Sequence, residues 1–258
     1  MFMAITSITP SGTIENSVTV MLSGKELVVQ QMNLAAQNLS NSDTVGFKGL
    51  VQTGIESVYT NPAKHSNFPT ISYVQPGMLL RDLAQGTIKE TQNPLNMALI
   101  GQGYFAVQVG DQKLYTRDGR FRLDATGTLV TADGYPVLSQ GGLINLSTYT
   151  KYVVENNGTI IGVDVNDVPT EVGQLIIVNF ADQQLGLQNV GNGRFATNQE
   201  ELSVPDTLVH QGALELSNVN SMTESVNLMR MMQMYEESQR ITEMDDEIKR
   251  KVINLRIN

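Results

Sequence analysis

The sequence predicts an α+β protein. Helices at the two chain ends form one discontinuous, coiled-coil-like domain, and a mainly antiparallel β domain is inserted between them. Three observations carry this expectation. An apolar stripe of 3.5-residue period runs through the first forty residues. A long stretch free of Gly and Pro with the same spacing closes the chain. Between them the period falls to two, with turn signals at short, regular intervals.

In the first helix, Ile14, Val18, Met21, Lys25, Val28, Met32, Ala35 and Leu39 are spaced alternately by four and three, and only Lys25 interrupts the apolar set. A repeat of 3.5 favours a coiled-coil seam, because a helix on one globular core drifts toward 3.6. The stripe is roughly 39 Å long at ~1.5 Å per residue. An ordinary amphipathic helix on a globular domain is the plainer alternative. The polar run Asn38 to Thr44 ends the helix, and Gly46 supplies a turn outward before Phe47 and Lys48.

The last helix opens at Ser221-Met-Thr-Glu224, where Ser and Glu fit a capping box. Met231, Met234, Ser238, Ile241, Asp245, Ile248, Val252 and Leu255 keep the three–four spacing. Between Leu228 and Tyr235 the helix is apolar almost all round, which requires several neighbours. Methionine suits either a core or an adaptable binding face, and a core shared between subunits is both. Acidic residues from Glu236 to Glu247 precede Lys249, Arg250, Lys251 and Arg256, the order that the helix dipole favours.

In the middle, Phe105, Val107 and Val109 alternate with Tyr104, Ala106 and Gln108. Turns are marked by Gly110-Asp111, Asp118-Gly119, Thr126-Gly127 and Asp133-Gly134, separating the short runs KLYT, RFRL, TLVTA and YPVL, which read as an antiparallel meander. Further strands are expected at Thr159–Val165 and Gln174–Phe180. Residues 51–84, with Pro62, Pro69 and Pro76, read as a connector or extended loop. The expected domains are therefore 1–50 with 214–258, the connector 51–84, and a β-rich domain over 85–213.

Composition excludes several function classes. The net charge is −9, and no basic patch with interleaved aromatics exists, which argues against nucleic acid. Without Cys there is no disulfide, thiol nucleophile or thiolate metal site. The two histidines, His65 and His210, belong to no metal or triad motif and read as exposed or satisfied polar residues. Gly101-Gln-Gly103 precedes a strand, so it reads as a turn and not as a phosphate loop. No catalytic residue, cofactor or metal site is expected. The N-terminus lacks the basic start and continuous apolar run of a cleaved signal peptide, and no run is long enough to span a membrane.

Asn38-Leu-Ser-Asn-Ser-Asp-Thr-Val-Gly-Phe-Lys48, TQNPLNMALIGQGYF from Thr91 with YTRDGRF from Tyr115, GALELSNVN from Gly212, and the helix from Val226 to Arg240 follow one another along the chain. In that order they resemble the start, the middle and the C-terminal region of flagellar rod and hook axial proteins. The GYPVLSQGG stretch from Gly134 and the helix continuing past Arg240 look most like the proximal-rod branch, with the distal-rod branch second.

The resemblance implies a structural subunit of the bacterial basal-body rod, with no enzymatic activity. It would polymerise through terminal helices to form the shaft that transmits motor torque, with the β domain as an outer domain. The implied partners are copies of itself, neighbouring rod proteins and the flagellar type III export apparatus. The implied location is the periplasmic rod, reached without a cleaved signal. The expected assembly residues on the first helix and its exit are Ile14, Val18, Met21, Val28, Met32, Leu39, Asn41 and Phe47. At the entry to the last helix they are Asn218 and Asn220, and along it Val226, Met229, Met231, Met234, Tyr235, Ile241 and Ile248. A reading of another class is a β-rich ligand-binding or enzymatic module with helical dimerisation arms.

Overall fold

The computed structural model describes residues 11–59, 71–184 and 186–257. Two long helices frame the chain: α1, Ser11–Ser40, and α2, Ser221–Ile257. Among the described residues, all regular structure between them is β. By internal contacts the chain divides into two units. One comprises Met1–Leu39, Leu50–Leu79 and Ser221–Asn258; the other comprises Ser40–Gly49 and Leu80–Asn220. The α+β architecture with discontinuous terminal helices is therefore the observed one.

In the helical unit, α1 and α2 lie side by side and antiparallel. Lys25, at the middle of α1, places its ammonium 5.1 Å from the ring centre of Tyr235, while Asn38, near its end, reaches Glu224 in the first turn of α2. The acidic Glu224 also suits the positive end of the α2 dipole.

Residues 51–84, expected as a connector or extended loop, contain most of two long strands, Leu50–Tyr59 and Ile71–Arg81, paired as a two-stranded sheet. Prolines made this stretch read as irregular, yet both strands of a two-stranded sheet are edges, where a missing N–H at Pro76 is tolerated. The root of the first strand is held from α1. The side-chain amide of Asn38 donates to the Leu50 carbonyl and accepts from the Leu50 N–H, each at 2.8 Å, in the manner of a neighbouring strand. Gln52 donates to Gln30 of α1 at 3.0 Å.

In the β unit the main sheet has six strands, in the spatial order Gln188–Gly191, Arg194–Ala196, Gln112–Thr116, Tyr104–Val109, Ile177–Asn179 and Leu202–Ser203. Its pairings are antiparallel. A second sheet joins Lys151–Val154, Thr159–Val163 and Pro169–Gln174. The stretch expected as one strand over Gln174–Phe180 is thus split: Gln174 ends a strand of the second sheet, and Ile177–Asn179 enters the first.

The alternation at Tyr104–Val109 has a clear outcome, because that strand is central and buried on both faces. Phe105 and Val107 enter a large core with Met97, Leu99, Leu129 and Ile160, while Tyr104 and Ala106 enter a smaller one with Tyr115, Phe180 and Phe195. Edge-to-face ring pairs anchor both sides: Phe105 with Phe121 at 5.1 Å, and Tyr115 with Phe180 at 4.7 Å.

Candidate assembly site

The apolar surplus expected on α2 is present. Leu228, Met231 and Tyr235 are half-buried in the helical unit, but Val226, Met229, Met232, Met234, Ile241, Met244 and Ile248 are exposed. One neighbouring helix covers only part of a helix that is apolar nearly all round. On α1, Val28 is buried and Met32 and Leu39 are half-buried. Val28, Gly24 and Lys25 form one wall of a groove of about 280 Å³, and Met234, Glu237, Ser238 and Ile241 form the other. The side chains of Ile14, Val18 and Met21 lie outside the described residues, as does His65. His210 is a partly exposed polar residue that bonds Glu90 at 2.7 Å.

The residues flanking the helices serve the β unit. Asn218 accepts from the Gly49 N–H at 2.7 Å and donates to the carbonyls of Asp82 and Ala84, so its side chain staples its own segment to two others. Half-buried Phe47 accepts the Asn218 N–H through its carbonyl. Asn41 accepts from the Thr44 hydroxyl at 3.2 Å and donates to Ser40. Asn220 is exposed immediately before α2. The expected assembly set therefore falls into two groups: an apolar surface along α2 with one groove wall from α1, and a polar staple within the β unit.

A buried ionic cluster, which sequence reasoning missed, lies beside this staple. Glu215 receives Lys48 Nζ on Oε1 at 2.7 Å and Arg117 on Oε2 at 3.0 Å, and all three side chains are buried. Oε1 also accepts the Gly86 N–H at 3.0 Å. Lys48 reaches the Ala84 carbonyl at 2.8 Å, and Arg117 reaches the Gly101 carbonyl at 2.8 Å and stacks over the Tyr104 ring. Arg117 Nε has no hydrogen-bond partner among the described residues. Burial pushes the Lys48 ammonium below its usual range, against the opposing pull of the Glu215 hydrogen bond. The ammonium is held by its two acceptors in a site that otherwise disfavours charge.

Gly46 explains how the chain approaches this cluster. Its φ is +70°, its N–H donates to the Glu215 carbonyl at 2.8 Å, and a Cβ there would lie 2.6 Å from the Arg117 carbonyl carbon. Lys48, Arg117 and Glu215 sit in three of the segments that carry the family resemblance, GFK, YTRDGRF and GALELSN. Lys48 and Glu215, the only charges in GFK and GALELSN, were the available signal, whereas Arg117 stands beside Asp118 and Arg120.

Comparison with known proteins now bears on this arrangement. Residues 98–162, which include Arg117, match the family described as Flagellar hook protein FlgE/F/G D1 domain. Residues 210–255, which include Glu215 and most of α2, match Flagellar basal body rod FlgEFG protein C-terminal. The chain is 32% identical over 244 residues to the flagellar basal-body rod protein FlgG of Agrobacterium fabrum, covering 85% of this chain and 92% of that protein. The chain belongs to the flagellar basal-body rod proteins of the FlgF/FlgG family.

Both branches of that rod family are represented among its relatives. The FlgG protein of Bacillus subtilis is 30% identical over 256 residues, covering 91% of this chain and 97% of that protein. The FlgF protein of Caulobacter vibrioides is 29% identical over 242 residues, covering 93% and 97%. As a rod-family member the chain is a structural axial protein of the basal body, located in the periplasmic rod, and not an enzyme. It assembles with other rod subunits. Family membership thus decides against the ligand-binding or enzymatic module. Among the described residues, no helix is long and apolar enough to cross a membrane.

Proposed function

We propose that this rod protein is a subunit of the proximal rod that packs through its terminal helices onto copies of itself and onto neighbouring rod proteins, forming the shaft that carries motor torque. One observation carries the reading: the exposed apolar side chains of α2, chiefly Met229, Met234, Ile241 and Ile248. Burying such a side chain from full exposure is worth about 1.5–3 kcal/mol, and each of these, already half covered, gains about half of that, so a helix carrying several favours association. The segments 1–50 and 214–258 make the rod-core domain, residues 51–84 connect it, and residues 85–213 make the β-rich domain. The remaining predicted contacts, including Asn41, Phe47, Asn218 and Asn220, act by fixing the points where the helices leave and enter. The subunit reaches the rod through the flagellar type III export apparatus.

The distal rod is the second reading, since a FlgG relative at 32% identity stands beside a FlgF relative at 31%. The GYPVLSQGG stretch and the extension of α2 past Arg240 support the proximal rod. Labelling the chain in isolated basal bodies separates the two by position. The assembly surface is tested by Met234→Asp in the full chain. The expected result is loss of basal-body assembly with unchanged near-ultraviolet circular dichroism of the β-unit tyrosines. Normal motility in that variant overturns the proposal.

A further inference from the structure

Six of the chain's 12 methionines lie on α2. Met222, in the first turn, is 77% exposed, and four more are exposed farther along the helix: Met229 at 56%, Met232 at 47%, Met234 at 45% and Met244 at 64%. The contrast within the same chain is Met97, 1% exposed in the β-unit core. Leucine or isoleucine would provide equal apolar area on α2, and Ile241 and Ile248 already do so. Only the thioether adds a nucleophilic sulfur, and its reaction with oxidants follows its access to solvent.

We infer that Met229, Met232, Met234 and Met244 form an oxidation site for hydroperoxides that blocks docking of the unassembled subunit, an inference that rests on reading α2 as the assembly surface. In each reaction the sulfur lone pair attacks the distal peroxide oxygen. The O–O bond breaks, an S–O bond forms, and with hydrogen peroxide the leaving hydroxide takes up a proton and departs as water. The sulfur is oxidised by two electrons and the peroxide is reduced by two. The product is a polar, chiral sulfoxide where the interface requires an apolar side chain, and burying its oxygen without a donor disfavours the contact. Once the subunit is docked, the same burial that needs the thioethers apolar also shields them. The site therefore acts on subunits that have not yet joined the rod. The sulfoxide is reversible by the two stereospecific methionine sulfoxide reductases, so the block is not permanent.

The test is a hydrogen peroxide pulse given to cells assembling rods from the full-length chain, with peptide mapping of the unassembled and basal-body fractions. Sulfoxide is expected at the four α2 positions at least ten-fold faster than at Met97, and at least ten-fold enriched in the unassembled fraction. Purified chain oxidised to the same extent should recover unmodified α2 peptides on treatment with both reductases. A variant carrying M229L, M232L, M234L and M244L replaces each thioether by an apolar group of similar volume, and each chain is scored against its own incorporation without peroxide. Its incorporation should exceed that of the native chain at least ten-fold under the same pulse. Oxidation of Met97 at the same rate, or equal sulfoxide in both fractions, overturns the inference. So does a native chain that incorporates as well as the leucine variant under peroxide. These failures are separate from failure of the assembly surface itself, which Met234→Asp reads without any oxidant.

Discussion

Lys48 and Glu215, 167 residues apart, share a hydrogen bond of 2.7 Å with both side chains sealed from solvent. One follows α1 by a few residues and the other precedes α2 by a few, so the cluster lies where the β unit receives both ends of its chain. Arg117 completes it from the strand-loop region between them. Removing one member of a buried ionic set leaves an uncompensated charge, which costs about 3–5 kcal/mol. Glu215→Ala strands two cations and should exceed Lys48→Ala in cost, as read by urea unfolding of the full chain. The triple replacement K48M, R117M and E215L should recover most of the loss, because apolar substitutes remove the desolvation penalty along with the attraction. Equal stability of Glu215→Ala and the native chain would remove the cluster from any structural role.

Gly46 and Gly110 separate two costs of replacing glycine. Both have positive φ, +70° and +59°, but a Cβ at Gly46 meets the Arg117 backbone, whereas one at Gly110 meets nothing within 4 Å. Gly110→Ala should lose about 1–2 kcal/mol from backbone conformation alone. Gly46→Ala should lose at least twice as much, since the atoms in its way are main chain and carry Arg117, a member of the ionic cluster. Thermal unfolding of the two variants side by side provides the comparison, and equal losses would contradict the close approach.

Asn38→Ala removes both bonds to Leu50, leaving a backbone donor and acceptor that the helical unit no longer pairs. Each orphaned group costs about 1–3 kcal/mol if it stays buried. The local readout is amide hydrogen exchange at Leu50, which should accelerate at least ten-fold. Asn38→Asp keeps the acceptor of the Leu50 N–H, so it should retain more Leu50 protection than Asn38→Ala. It loses the donor to the Leu50 carbonyl and sets a second carboxylate against Glu224, so it should not restore native stability.

Two aspartates tie acid sensitivity to particular turns. The Asp124 carboxyl is held below its usual range by the Thr126 hydroxyl, then by the Thr128 amide. That of Asp164 is lowered by the Val168 and Asn166 amides. A carboxyl lowered by folding contributes stability that is complete above its unfolded value, near 3.8, and that vanishes as pH falls through the lower folded one. The melting temperature of the native chain should therefore fall more steeply below about pH 4 than that of a D124N, D164N double variant, which has no such proton to take up. Parallel curves would show that these turns do not depend on the charge.

Much of the fold was legible in the sequence. The three–four spacing predicted α1 and α2 closely, because a helix satisfies its backbone within four residues and declares its buried stripe locally. The turns at Gly110, Gly127 and Gly134 were legible because positive φ selects glycine regardless of the rest of the fold. The strands of 50–81 were not. A ribbon whose strands are both edges tolerates proline and has no strict inward–outward alternation to declare.

Of the candidate site, the apolar surplus of α2 could be read directly from Leu228 to Tyr235. Which methionines stay exposed could not, because the answer depends on where α1 lies against that helix. Asn218 was picked out as a contact, and the structure shows its amide bonded to Gly49, Asp82 and Ala84.

The sequence by itself determined the two helices, the turns, the alternating strand at Tyr104–Val109 and the family. These follow from short-range backbone geometry and from ordered motifs. Only the tertiary structure decided the strand order, the split of Gln174–Phe180 between two sheets, and the meeting of Lys48, Arg117 and Glu215. Such contacts join segments tens to hundreds of residues apart, and their energy comes from burial and pairing that no local pattern encodes.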